Sequence, residues 1–347
     1  MMQLSEYLIE TSEKIGEALL KLEKLKDEKI LFVVENDVLR GALTDGDIRR
    51  HLLAGGSIDD AVIDAATKTP SSFEGFSEGD ARELLREKEI ICIPMTVEGK
   101  VHTLVFENRT VSADLGGLDV PVIIIAGGFG TRLAPYTDVL PKALMPVGEK
   151  TITEHIMDRF KKFGCTDFTF IVNHKKNLIK SYLSEVEDGS FSVSFSDETK
   201  PLGTGGGLYK FKGSGIKKAF MTNCDTIVEA DYRDIIRKHD ESGAVLTIVC
   251  SKTKLEVPYG VIETDEDGFL TGMKEKPSFD FLMNTGFYVI TDEFINEVRD
   301  DEFQPMTDII SRCLEKGMRI ETYVIESSCF VDIGRPDDLR RVIRKIR

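Results

Sequence analysis

The sequence contains no C-x-x-C pair: its six cysteines, Cys92, Cys165, Cys224, Cys250, Cys313 and Cys329, stand apart. That spacing excludes a zinc or dithiol redox signature and leaves small buried hydrophobes of a reducing compartment. No uninterrupted apolar run reaches the roughly 18–20 residues that a membrane span needs. The start, MMQLSEYLIE, has two glutamates and no basic stretch ahead of an apolar core, so no secretory signal is read and the cytoplasm is expected. Positive charge is in deficit: 45 Lys and Arg face 60 Asp and Glu, a formal net charge of −15. A chain of that sign is not expected to coat nucleic acid, although a few local cations can dominate a small pocket. Also missing are a G-x-x-x-x-G-K-[ST] string and a hexapeptide repeat, so neither a Walker loop nor an acyltransferase-type partner domain is signalled.

What is present is ordinary globular material, 41% hydrophobic and 30% charged over 347 residues, with length enough for two domains. Two stretches near the start share one order. Residues 13–25 put Ile15, Leu19, Leu22 and Leu25 on one helical face, and two strands follow around a polar turn at residues 35–37. A helix then runs to Gly55 and Gly56. SEGDARELLREKEI repeats the helix, with Ser77 as N-cap and Asp80 in the capping-box position. ICIPMTVEGKVHTLVFE repeats the strand pair around Glu98 and Gly99. The expected division is 1–110 for the repeated α+β unit, a linker at 111–120 overlapping the polar stretch 108–119, and a second domain over 121–347.

In the second domain strands alternate with helices. Residues 151–163 read as a helix opened by a Thr151…Glu154 capping box. DFTFIVN, FSVSFS, KKAFMTNCD and GAVLTIVCS read as strands, predicting a mostly parallel sheet covered on both faces. Further on, YGVIETDEDGFLTGMKEKP turns at Asp267 and Gly268, and a last helix is expected over 336–346, with Arg344, Lys345 and Arg347 complementing its dipole.

The stretch VIIIAGGFGTRLAPYTDVLPK, residues 122–142, is the strongest local signal. A buried strand runs into Gly127, Gly128 and Gly130, whose bare backbone can bring N–H groups against an anion. A G-x-G-x-x-G dinucleotide fingerprint fails because Leu133 holds the third position. What matches is G-x-G-T-R followed by P-K, with Thr131 and Arg132 after Gly130, then Pro141 and Lys142. Arg132 offers a planar fork to phosphate oxygens and Lys142 a second cation.

With these residues and KPLGTGGGL, NCD, EKP, NTGFYVI and FVDIGRPDDL in order behind them, residues 121–347 resemble the sugar-1-phosphate nucleotidylyltransferases. The resemblance implies an α/β fold with a Rossmann-like mixed sheet of the nucleotidyltransferase (GT-A-like) type. It implies nucleotide contacts at Gly127, Gly128, Gly130, Thr131, Arg132, Gly203 and Thr204, and catalytic cations at Arg132, Lys142 and Lys276. It further implies sugar contacts at Gly260, Glu275 and Lys276, with Asn284 and Thr285 as weaker ones, and a Mg²⁺ held by Asp225 and Asp332. Alone, Asp225 also reads as a helix N-cap and Asp332 as a turn residue. Ala143 departs from the residue many relatives carry after the lysine.

The implied reaction joins a nucleoside triphosphate to a sugar 1-phosphate and releases pyrophosphate. The short loops look most like the guanylyltransferase branch that makes GDP-mannose- and GDP-glucosamine-type donors. GTP is therefore the expected nucleotide, with UTP, CTP and dTTP left as alternatives. GALTDGDIRRHL resembles the end of a cystathionine-β-synthase (CBS) domain, which implies an α+β CBS pair over 1–110. In that family the Thr and Asp of T-x-x-D, here Thr44 and Asp47, bind a nucleotide; the second copy lacks the motif. An adenine or guanine nucleotide at that site and a homodimer are the expectations. Two rivals stand beside the enzyme reading. A nucleotide-sugar glycosyltransferase would carry D-x-D, where Asn223 precedes Asp225, and a non-catalytic CBS sensor would show a degenerate site.

Overall fold

Asn36 and Asp37 both have positive φ (53° and 66°), as do Glu98 and Gly99 (52° and 76°). This is the backbone twist that a two-residue hairpin loop demands. These two turns mark matching halves of the first of two compact units, Met1–Gly116 and Gly117–Arg347, in a computed structural model that describes residues 3–25, 28–75, 78–112 and 117–334. Ser77 and the expected helix over 336–346, with Arg344, Lys345 and Arg347, lie outside the described residues.

In the first half, β1 (Leu8–Glu10), α1 (Ile15–Lys24), β2 (Ile30–Glu35) and β3 (Val38–Thr44) lead into α2 (Asp45–Leu53) and α3 (Val62–Ala65). In the second, β4 (Phe73–Glu74), α4 (Glu78–Glu87), β5 (Cys92–Val97) and β6 (Lys100–Phe106) repeat the order. The pairing repeats too. β1 runs parallel to β2 and β4 to β5, while β2–β3 and β5–β6 are antiparallel, with register shifts at Val33/Val34 and Met95/Thr96. Ile15, Leu22 and Leu25 are buried, as their spacing predicts.

One correction concerns the linker expected at 111–120. Thr110–Ser112 forms β7, antiparallel to β6, so residues 111 and 112 belong to the first sheet. Val120 is already buried in the core of the second unit. The sequence TVS is too short and polar to announce a strand; pairing with β6 supplies what periodicity does not.

The second unit opens with β8 (Val122–Ala126), α5 (Tyr136–Val139), β9 (Pro146–Val147), β10 (Lys150–Thr151) and α6 (Ile152–Lys162). Thr151 caps α6 through the expected box, accepting from the Glu154 N–H while Glu154 accepts from its own. Then come β11 (Asp167–Val172), α7 (Lys176–Val186), β12 (Ser192–Asp197), β13 (Lys218–Asn223), β14 (Thr226–Val228) and α8 (Tyr232–Ser242). The chain continues through β15 (Leu246–Glu256), β16 (Val261–Thr264), β17 (Leu270–Lys274), β18 (Ser278–Thr291), α9 (Asp292–Asn296), α10 (Met306–Glu315), β19 (Ile320–Ile325) and β20 (Phe330–Asp332).

The main sheet has the order β12-β11-β8-β13-β18-β15-β19. It is mixed α/β: β18 runs antiparallel between β13 and β15, and the other neighbours are parallel. Alternation along β8 divides the core. Val122 and Ile124 join Ile156 and Phe160 of α6 and Ile235 of α8 on one face. Ile123 joins Phe294 of α9 and Ile309 of α10 on the other. Among the described residues, no helix is long and apolar enough to cross a membrane. Cys92, Cys165, Cys224, Cys250 and Cys313 are buried, and burial raises each thiol pKa, to about 12 at Cys165 and Cys224. That is the behaviour of inert packing residues.

Candidate active site

The chain runs outward from β8 through β11 to β12, then returns to β13 on the other side of β8. The C-terminal ends of β8 and β13 therefore flank a switch point, where open α/β sheets leave a crevice for ligands. The glycine loop follows β8 and Asp225 follows β13.

Within the loop the three glycines do different things. Gly128 faces open space: a Cβ there would meet nothing within 4 Å. Gly130 has φ +68°, and a Cβ would stand 3.0 Å from Thr137 Cγ2 and 3.1 Å from Lys142 Cβ. Thr137 Oγ1 donates to the Gly130 carbonyl at 2.9 Å, pinning the turn. At Gly127 a Cβ would lie 3.1 Å from Glu198 Oε2. Thr131–Leu133 then forms one 3₁₀ turn that buries Leu133 and leaves Arg132 exposed.

The two aspartates come from residues more than a hundred apart and are joined by a short ladder. β14 and β20 pair antiparallel with Thr226 opposite Asp332, and the Ile333 N–H donates to the Asp225 carbonyl at 2.9 Å. Asp225 is therefore not the cap of a helix; Asp231 caps α8. Its carboxylate forms a buried ion pair with Lys142, both side chains about nine-tenths enclosed. Across the site, a Cβ at Gly334 would be 2.8 Å and 3.1 Å from the Asp332 oxygens and 3.3 Å from the Arg132 guanidinium carbon, so these two groups converge on one point.

Arg132, Asp225 and Asp332 line one cavity of about 310 Å³, together with Thr204 and Asn284. Two carboxylates lining one cavity suit a small cation that prefers oxygen and keeps water and phosphate as its other ligands. Among the described residues, no group of three or more His, Cys, Asp or Glu forms a cage of its own.

Thr204 Oγ1 accepts from the Met306 N–H at 2.9 Å. Gly203, with φ +80°, lets its loop meet the neighbouring backbone: a Cβ would be 2.8 Å from the Gln304 carbonyl oxygen. Asn284 donates to Tyr288 OH at 2.9 Å and accepts from the Gly286 N–H at 3.0 Å. Gly286 and Asn223 were not singled out as site residues from the sequence, although the Asn-x-Gly pattern held the signal. Gly286 has φ +79°, and a Cβ would fall 2.3 Å from Asn223 Nδ2. Asn223 and Gly286 both line the cavity. Thr285 is buried and donates to the Val249 carbonyl at 2.7 Å, which fixes the strand beside the cavity.

Three expected sugar contacts are brought together, but outside this cavity. Gly260 and Glu275 meet, since a Cβ at Gly260 would be 3.1 Å from Glu275 Oε2. Gly260, Glu275 and Lys276, with φ +44° at Lys276, are exposed where β15 and β18 project beyond the core as a two-stranded arm. From Ser278 to Asn284 that strand runs six residues, roughly 20 Å at ~3.3 Å per residue. Lys276 is thus not among the residues that line the cavity with Arg132, and strand length is not visible in a short motif such as EKP.

In the first unit, Thr44 and Asp47 satisfy each other. Thr44 is the N-cap of α2, its N–H donates to Asp47 Oδ2 at 2.8 Å, and Arg50 pairs with the other carboxylate oxygen. Neither residue lines the cavity of about 350 Å³ in that unit, which Arg109 and Phe106 border.

Sequence reasoning passed over Glu198. It is buried, and a Cβ at Gly207 would lie 2.6 Å from its Oε1. Loss of water raises its pKa to about 7, against the opposing pull of the Leu202 N–H and Lys210.

A family model described as nucleotidyl transferase matches residues 121–347, and the chain belongs to that family. The mannose-1-phosphate guanyltransferase of Pichia angusta is 32% identical over 228 residues, covering 62% of this chain and 61% of that protein. The UTP–glucose-1-phosphate uridylyltransferase of Synechocystis sp. is 26% identical over 243 residues, covering 65% and 62%. The chain thus spans about three fifths of the length of these curated relatives. The crystal structure of HddC from Yersinia pseudotuberculosis is similar with a TM-score of 0.52 and 25% identity, over 66% of this chain and 100% of that one.

Proposed function

We propose that this chain is a sugar-1-phosphate nucleotidyltransferase that uses GTP and makes a GDP-sugar. The observation that carries the reading is the convergence of Arg132, Asp225 and Asp332 on one cavity at the ends of β8 and β13. An oxygen of the sugar phosphate attacks the α-phosphorus of the nucleotide. The bond from that phosphorus to the bridging oxygen breaks, and pyrophosphate leaves with the electron pair. No proton need move, because a phosphate monoester with a second pKa of about 6 is mostly dianionic at neutral pH. The burden is to hold two polyanions together, which calls for positioned cations and N–H dipoles.

Gly128, Gly130 and Thr131 offer backbone to the triphosphate, and Arg132 and Lys142 offer charge. Mg²⁺ held by Asp225 and Asp332 would neutralise the charge that gathers on the reacting phosphates. Glu275 and Lys276 would reach the sugar phosphate only with the arm turned toward the cavity.

The guanylyl choice rests on the relatives named mannose-1-phosphate guanyltransferases. The uridylyltransferase relative favours UTP as the second reading. The first unit, with its internal repeat and Thr44–Asp47 pair, is proposed as a CBS-type module that binds an adenine or guanine nucleotide and joins two copies. Light scattering and equilibrium dialysis with AMP and GMP test that part.

The test of the reaction is pyrophosphate release with Mg²⁺, crossing GTP, UTP, CTP, dTTP and ATP against hexose, hexosamine and heptose 1-phosphates. Release with GTP and one sugar supports the proposal. Release only with a pyrimidine nucleotide keeps the reaction and replaces the base.

A further inference from the structure

Asp225 has two possible cations. One is the metal that the proposed function assigns to it; the other is Lys142, whose ammonium already pairs with Asp225 Oδ2. The pair is enclosed, so solvent screens it little. Lys142 begins the 3₁₀ turn Lys142–Leu144 and sits directly behind the glycine loop, its Cβ 3.1 Å from where a Cβ of Gly130 would stand. It reaches Asp225 from that side, because Asp225 lines the cavity and Lys142 is not among the lining residues. A carboxylate whose charge is met by a buried ammonium has little left for a dication. A triphosphate in the glycine loop would change this, since it offers Lys142, whose Cβ packs against Gly130, a denser anion.

We propose that Lys142 is a placeholder for the metal: it neutralises Asp225 in the empty enzyme, and the arriving triphosphate draws it off and turns Asp225 into a metal ligand. The inference rests on the proposed function for the identity of the anion and the cation. Nucleotide and metal then bind with positive coupling through one side chain, and by linkage each strengthens the other equally. An enzyme without nucleotide holds metal weakly.

The test uses the full chain and two probes. The first is Mn²⁺ alone, followed by electron paramagnetic resonance and calorimetry. Wild type is expected to bind weakly, Lys142→Gln about tenfold more tightly, and Lys142→Gln with Asp225→Asn to lose the gain. Equal Mn²⁺ affinity in wild type and Lys142→Gln overturns the proposal. The second probe, for the case that Lys142→Gln does not fold, is inorganic tripolyphosphate in EDTA. Asp225→Asn and Asp332→Asn each remove one negative charge from the same cavity, but only Asp225→Asn frees Lys142. Asp225→Asn is expected to bind tripolyphosphate about fivefold more tightly than Asp332→Asn. Equal binding overturns the proposal. Pyrophosphate release separates the two levels. Failure of release with every nucleotide counts against the proposed function, while unchanged metal affinity in an active enzyme counts against the placeholder alone.

Discussion

Glu198 shows how much one side chain can reveal about its surroundings. Its carboxyl is squeezed between Gly127 and Gly207, and burial raises its pKa from 4.5 to about 7. The folded protein therefore holds a proton that the unfolded chain has released between those two values. The stability linked to that proton is complete below the unfolded value and is lost as pH rises through about 7. Glu198→Gln is expected to exceed wild type in stability by about 2 kcal/mol at pH 8, with the gap closing toward pH 5. Urea unfolding at the two pH values measures it. Asp332 belongs to the same scale. Asp332→Asn is expected to lower the rate of pyrophosphate release by about 10²–10³-fold, because it removes charge from the point where Arg132 also converges. A kinetic assay at saturating Mg²⁺ and nucleotide checks this. Arg132, Lys142 and both aspartates were legible in the sequence because charged residues after glycines and strand ends form a recognisable order. Glu198 was not, because a glutamate beside a polar loop gives no sign that two glycines will close on it.

At the scale of elements, the site depends on close backbone approaches. The loop at Gly203 abuts the Gln304 carbonyl, and Gly286 admits Asn223 beneath the cavity. Both glycines have positive φ, so a side chain is strained as well as crowded. Gly203→Ala is expected to cost about 2 kcal/mol or more of stability, and Gly286→Ala a similar amount, as thermal or urea unfolding of the purified variants would show. The cap of α6 predicts a smaller change: Thr151→Ala removes the acceptor for the Glu154 N–H and is expected to cost about 1 kcal/mol by the same measurement. That cap was readable from T-x-x-E alone, as were the hairpins at Asn36–Asp37 and Glu98–Gly99, since local chemistry decides them. The arm was not. Nothing in the residues of β15 and β18 announces that they pair for seven positions beyond the register shift at Ile248/Cys250 and into solvent, carrying Lys276 with them. β7 escaped for the converse reason, being a strand only through its neighbour.

At the scale of the molecule, each unit is built around its own apolar clusters. Calorimetry is expected to resolve two transitions, and Leu31→Ala, which empties a fully buried place in the first unit, to shift one of them by about 2–5 kcal/mol. The fold class of the second unit followed from strand–helix alternation, yet the antiparallel β18 between β13 and β15 followed from no local pattern; pairing partners are chosen by the whole sheet. What that sheet achieves, together with the β14–β20 ladder, is to bring an arginine and two aspartates to one cavity beside the switch point. The most direct measurement is pyrophosphate release from GTP and the panel of sugar 1-phosphates, in wild type beside Asp225→Asn and Asp332→Asn. The account predicts release with at least one sugar in wild type and a rate lower by about 10²–10³-fold in both variants. Release at the wild-type rate in either variant, or none from any nucleotide and sugar in the wild type, would contradict it.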